Sequence, residues 1–129
     1  MTKCISIVVK YYLKAGILML KKLKFANILI IGCGGIGCTT AELLARAGVG
    51  KITLIDADTI EISNLQRQIA YVEENIGFYK AEILAKRLKQ INPHICVESR
   101  TIKLDDHNAA QLISKQDLVL DGCDNFTTR

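Results

Sequence analysis

Residues 26–37 run Ala-Asn-Ile-Leu-Ile-Ile-Gly-Cys-Gly-Gly-Ile-Gly, an apolar stretch that breaks into Gly32-x-Gly34-x-x-Gly37 and then opens a helical pattern. A buried strand here delivers the chain to a turn where side chains would obstruct a phosphate. Glycines let backbone N–H groups approach that phosphate, and the following helix offers its positive N-terminal end. Gly32, Gly34, Gly35 and Gly37 are therefore candidate phosphate-loop residues. Alone, the motif mostly marks dinucleotide-binding dehydrogenases, so the residues beyond it decide between readings. Asp56 ends a second apolar strand, Ile52 to Ile55, and falls 19 residues after Gly37, where a ribose-binding carboxylate belongs. Then comes Ser63-Asn64-Leu65-Gln66-Arg67-Gln68, a polar and cationic stretch that a nicotinamide site does not require.

The pattern around these motifs is strand, loop, helix, repeated. A helix is expected over about Ile36 to Ala47, with Leu43, Leu44 and Ala47 toward the core, closed by Gly48-Val49-Gly50. After Asp56 no strong period appears until about Tyr79, leaving a long loop that holds most of the unusual polar chemistry; loops of that length are usually functional or disordered. A second helix runs from about Tyr79 to Ile91, with Ile83, Leu84, Leu88 and Ile91 at core spacing, and stops at Asn92-Pro93. A third strand is expected near Ile95 to Lys103, a short helix around His107 to Ser114, and a fourth strand over Asp117 to Asp121. Strands alternating with helices imply a parallel sheet with right-handed crossovers. The fold class is α/β, a Rossmann-like doubly wound, mostly parallel sheet in the order 3-2-1-4, with ligand at the carboxyl ends of strands one, two and four.

Composition narrows the class further. At 129 residues the chain can hold one domain with a real core. Half its residues are hydrophobic and its single proline is Pro93, which argues against low-complexity disorder. The net charge of +4 is mild, but lysines concentrate in a tract, Met1 to Lys24, that has no acidic residue. On a helical wheel Lys3, Lys10, Lys14, Lys21 and Lys24 fall within an arc of roughly 80°, with Ile5, Val9, Tyr12, Leu13 and Leu20 spread outside it and Ile17 within it. That describes an amphipathic helix packed on its own domain or on a second subunit, although Gly16 and the β-branched Ile5, Ile7, Val8 and Val9 also suit a strand. Five cysteines, with no C-x-x-C pair and no neighbouring histidine, argue against a disulfide framework or a zinc site made by this chain, and point to a reducing cytoplasm. Lys10 and Lys14 interrupt the N-terminal apolar run and no small-residue cleavage site follows, so neither a secretory leader nor a membrane span is expected there.

With the glycine loop, Asp56, the Ser63–Gln68 block, Ile76-Gly77 followed by Lys80, Asn92-Pro93 and Asp121-Gly122-Cys123-Asp124-Asn125 in this order, residues 25–129 resemble the ThiF/MoeB/HesA family, the bacterial relatives of ubiquitin-activating enzymes. The resemblance implies use of Mg-ATP to adenylate the C-terminal glycine of a ubiquitin-fold protein, often a sulfur carrier, by a homodimeric adenylyltransferase. It places Arg67 and Lys80 on the ATP phosphates as catalytic cations, Asp56 on the ribose hydroxyls, Asn64 on the nucleotide and Asp124 on Mg²⁺. Gln68 belongs to the same block. Nucleic acid is not an expected partner, except that some relatives act on a modified tRNA base. Asp58 and Glu61 read as turn and surface residues, and Cys33, Cys38 and Cys123 as small space-fillers. His94 and His107 sit in no catalytic spacing.

Two departures accompany the likeness. The family commonly supplies an N-terminal arginine to the partner subunit's ATP, and this chain has none before Arg46. A substrate-binding half normally follows the Asp-Asn cluster. The expected organisation is thus an amphipathic segment, 1–24, and an incomplete nucleotide-binding domain, 25–129, truncated after its fourth strand. Two other functions stay open on the residues alone: an NAD-dependent oxidoreductase domain using the same loop and Asp56, and a non-catalytic nucleotide-binding or dimerising remnant.

Overall fold

After Asn27, Ile28-Leu-Ile-Ile31 is the unbroken aliphatic run of a strand covered on both faces, and in the computed structural model, which describes residues 21–123, it forms an inner strand, β1 (Asn27–Ile31). The glycine loop follows, then α1 (Gly35–Ala47), β2 (Lys51–Ile55), α2 (Lys80–Ile91), β3 (Cys96–Arg100), a short α3 (Ala109–Ile113) and β4 (Leu118–Asp121). All four strands are parallel and lie in the order β3-β2-β1-β4, as the alternation of elements requires. Residues 21–24 are helical; the rest of the expected amphipathic helix lies outside the described residues. No helix among the described residues is long and apolar enough to cross a membrane.

Register fixes where the site forms. Ile31 pairs with Ile55 and Asp121, and Ile55 pairs with Arg100, so the four strands end level. The ladder runs one residue further: Gly32 N–H donates to the Ile55 carbonyl, Asp56 N–H to that of Arg100 and Gly122 N–H to that of Ile31. Gly32, Asp56 and Gly122 consequently emerge side by side at the carboxyl edge. Strand three is shorter than its sequence suggests, stopping at Arg100 instead of Lys103. It is one of the two sheet edges and buries only Val97, so no second neighbour holds the residues beyond Arg100 in a ladder.

The core lies mainly between the sheet and α1 and α2, around Ile28, Ile30, Ile52, Leu54, Leu84 and Leu88. A smaller cluster on the other face joins Leu29, Ile31 and Ile55 to Ile102, Leu104, Leu112 and Val119. The expected inward face of α1 needs correcting. Leu43 is 64% exposed, and the helix buries Gly37, Cys38, Ala41, Glu42 and Ala45. Small side chains at helical spacing let α1 approach the sheet closely, and that fit outweighs the greater hydrophobicity of the leucines. Glu42 is accommodated by an ion pair with Arg87 of α2. At the other end of α2, Asn92 Nδ2 donates to the Ala45 carbonyl at 2.9 Å, tying the two helix termini together.

The long segment after β2 is ordered by its own contacts. Two short 3₁₀ turns, Ile62–Asn64 and Glu73–Asn75, and an antiparallel bridge between Thr59 and Tyr79 fold it back on itself. Ile60, Ala70 and Tyr71 are buried beneath it. Its polar side chains are therefore held on a packed loop rather than a mobile one.

Candidate functional site

The carboxyl edge of the sheet opens into a cavity of about 510 Å³, lined by the glycine loop, the start of the β2–α2 segment, Lys80 and the chain beyond β3 and β4. Of the residues singled out in the sequence, Gly32, Gly34, Asp56, Asn64, Arg67, Gln68 and Lys80 all line it. Asp58 and Glu61 are exposed, as turn and surface residues should be, but both also line the cavity. Gly35 lies against it through Arg67, whose stem is 3.7 Å from where a Gly35 Cβ would stand. Gly37 sits one turn into α1 as a packing residue: a Cβ there would stand 1.9 Å from the Gly32 carbonyl oxygen. Asp124 lies outside the described residues.

Two backbone features shape the loop. Gly32 has φ +92°, a left-handed conformation that favours glycine, and a Cβ on it would meet the Gly122 backbone at 3.0 Å. Asp56 then braces the next residue, since its Oδ2 accepts the Cys33 N–H at 2.7 Å while its Oδ1 accepts the Asp58 N–H at 2.8 Å. One carboxylate thus joins the glycine loop to the start of the polar segment. Each oxygen keeps a lone pair for a ligand hydroxyl.

The polar block is anchored at Asn64, whose Oδ1 accepts the Glu61 N–H at 2.9 Å in a reciprocal capping arrangement. Arg67 is exposed, with Nη1 donating to the Ser63 carbonyl at 3.1 Å, and leans over Gly35. Gln68 is only 2% exposed and its Oε1 is buried without a hydrogen-bond partner. Lys80, at the first position of α2, is 7% exposed and makes no ion pair among the described residues. A largely buried lysine and a buried orphan acceptor lining one cavity are costly for folding alone. Both groups face a cavity where a polyanionic ligand carrying hydroxyl donors would satisfy them.

Cys33 and Cys38 are fully buried, which agrees with a space-filling role. Burial pushes both thiols above their ordinary value of 9.0; for Cys33 the Asp56 carboxylate adds to the effect and Lys80 opposes it. Burial also raises the Tyr71 phenol above its ordinary value of 10.0. These groups are protonated at neutral pH, so neither thiol is an activated nucleophile. An acid whose pKa is raised in the folded state holds its proton there after the unfolded chain has released it. Stability is therefore complete below the unfolded values and declines as pH climbs past 9.0. Melting temperature followed from neutral to alkaline pH should fall in that range, and a flat profile would show that these groups ionise freely in the fold.

The ThiF family pattern matches residues 9–129, nearly the whole chain. This protein belongs to the ThiF family. It is similar to the molybdopterin-synthase adenylyltransferase of Haemophilus influenzae, with 45% identity over 109 residues, 84% of this chain and 45% of that protein. The sulfur carrier protein adenylyltransferase of Thermus thermophilus is 39% identical over 109 residues, 84% of this chain and 40% of that one. Among solved structures, the E. coli tRNA N6-threonylcarbamoyladenosine dehydratase in complex with ATP superimposes with a TM-score of 0.79 at 40% identity, over 82% of this chain and 44% of that one. The chain thus spans less than half the length of each of these relatives.

Two parts of this ThiF-family site escaped the sequence reading. Ile102, Lys103 and Leu104 line the cavity because β3 ends at Arg100; pairing the strands in parallel register would have placed them at the carboxyl edge. Tyr71 is 4% exposed, and its hydroxyl donates to the Cys33 carbonyl at 2.7 Å while lying 3.3 Å from the Lys80 carbonyl. Its only sequence signal is an aromatic residue beside Ala70 in an otherwise polar segment. Among the described residues no group of three or more His, Cys, Asp or Glu could by itself hold a metal ion.

Proposed function

We propose that this chain supplies the ATP site for adenylation of the C-terminal glycine of a ubiquitin-fold sulfur-carrier protein. The observation that carries this reading is Lys80, a buried cation without an ion-pair partner that lines the same cavity as Asp56 and the glycine loop. A dinucleotide dehydrogenase has no use for that cation or for Arg67. The names of the relatives, adenylyltransferases of molybdopterin synthase and of a sulfur carrier, point the same way.

In this reaction a carboxylate oxygen of the carrier's terminal glycine bonds to the α-phosphorus as the bond to the bridging oxygen breaks, and pyrophosphate departs with the electron pair. Two anions must approach each other, so positioning and positive charge matter more than proton transfer. Lys80 and Arg67 would stabilise the phosphate oxygens as charge develops on them, with little reorganisation, because one is fixed by the first turn of α2 and the other is tied to the Ser63 carbonyl. Asp56 would accept the ribose hydroxyls while still holding Cys33. Gln68 Oε1 would accept a hydrogen bond from the bound nucleotide or its water, and Asn64 would fix the nucleotide through its Nδ2. Mg²⁺, held by Asp124 together with phosphate oxygens, would add positive charge at the leaving group. We assign the working protein to the cytoplasm as a homodimer.

Calorimetric titration of the chain with Mg-ATP and with NAD tests the ligand class. ATP should bind more tightly, because NAD has no γ-phosphate for the extra cations. Tighter binding of NAD would replace this reading with the oxidoreductase.

A further inference from the structure

The Cys33 residue is pinned from both sides. Its N–H donates to Asp56 Oδ2, and its carbonyl accepts the Tyr71 hydroxyl, both at 2.7 Å. The carbonyl and the following N–H of a trans peptide point in opposite directions, and no peptide among the described residues is cis. A hydroxyl that holds the Cys33 carbonyl toward the buried Tyr71 therefore turns the Gly34 N–H the other way. Gly34 lines the cavity, and its N–H donates no hydrogen bond among the described residues.

Without that hold, little would keep the peptide in place. Gly34 sits at φ −85°, and glycine crosses to positive φ at almost no steric cost, so the Cys33–Gly34 peptide can turn over and present its carbonyl to the cavity instead. A carbonyl facing a phosphate repels it. The other donor to the Cys33 carbonyl is the Cys38 thiol at 3.3 Å, which is a weak one. Burial keeps the phenol protonated, so it remains a donor across the neutral range.

We propose that Tyr71 is a positioning residue of the phosphate site: its hydroxyl holds the Cys33–Gly34 peptide with the Gly34 N–H toward the ligand, and its contact with the Lys80 carbonyl indexes that N–H to the start of α2. The proposal rests on the ATP reading above. It assigns the polar segment a second task, since the same stretch that carries Arg67 and Gln68 also carries the residue that orients the glycine loop.

The test is Tyr71→Phe in this chain, which keeps the ring and removes only the hydroxyl. ATP and adenosine affinities are measured by titration, and the Gly34 amide is followed by ¹⁵N-resolved NMR, whose peak dispersion also reports folding. ATP affinity should fall about tenfold, the scale of one lost hydrogen bond to a charged group, with adenosine affinity unchanged. The Gly34 amide peak should shift on ATP addition in the wild type and shift much less in the variant. ATP affinity within about twofold of wild type, or an equal loss for adenosine, overturns the role of Tyr71 and leaves the ATP reading intact. A wild-type chain that binds no ATP overturns both.

Discussion

Gly37→Ala is expected to destabilise the fold severely. A Cβ at this position stands 1.9 Å from the Gly32 carbonyl oxygen and 2.9 Å from its carbon, and both obstacles are backbone. Relief requires the first turn of α1 to move off the glycine loop, yet Gly32 is itself locked by its bond to Ile55 and its contact with Gly122. Overpacking against movable side chains costs about 1–3 kcal/mol, and against fixed backbone the cost should exceed about 3 kcal/mol. That is a large share of the 5–15 kcal/mol that holds a domain together, and corresponds to a fall in melting temperature of more than about 12 °C. Gly48→Ala is the matched control. Gly48 caps α1 at φ +88° with nothing within 4 Å of its added Cβ, so only backbone strain of about 1–2 kcal/mol applies. Thermal and urea unfolding of the two variants separate crowding from strain; equal losses would refute the close-approach account of Gly37.

That contrast shows what sequence spacing can and cannot convey. The third glycine of the loop was readable as a motif, and so was the order of the strands, because a right-handed crossover after each helix leaves few alternatives. That Asn64, Arg67, Gln68 and Lys80 would join Asp56 in one site was implied by the family resemblance, because composition and spacing alone reach only a nucleotide-binding α/β domain, and all five line one cavity. The face of α1 was not readable. Leu43 and Leu44 carry the hydrophobic signal, and Leu44 does pack against the core while Leu43 faces solvent, but how near a helix may come to a sheet depends on the small residues Cys38, Ala41 and Ala45, and hydrophobicity does not report that. Nor does a solitary Tyr71 in a polar stretch announce which carbonyl it will hold, because its partner Cys33 is 38 residues away. Such long-range polar contacts are set by packing of the loop as a whole, after the local preferences have been satisfied.

Lys80→Met should raise stability while weakening ATP binding, a pair of opposite effects that few residues can produce. Methionine matches the length of the lysine stem and fills the buried path that it occupies, but carries no charge. In the free protein Lys80 as a whole residue is 7% exposed, lines the cavity, and has no ion-pair partner among the described residues. Removing it relieves an uncompensated desolvation cost, and the variant should gain about 1–2 kcal/mol. With ligand present the balance reverses. A charge-assisted contact to a phosphate is lost, which weakens binding by about 1.5–3 kcal/mol, or roughly 10- to 150-fold. Urea unfolding without nucleotide and calorimetry with ATP read the two effects separately. A variant that loses stability would mean that the ammonium is satisfied within the fold. One that binds ATP as tightly as the wild type would place Lys80 outside the phosphate site, and the cation would then have to be explained by something other than the nucleotide.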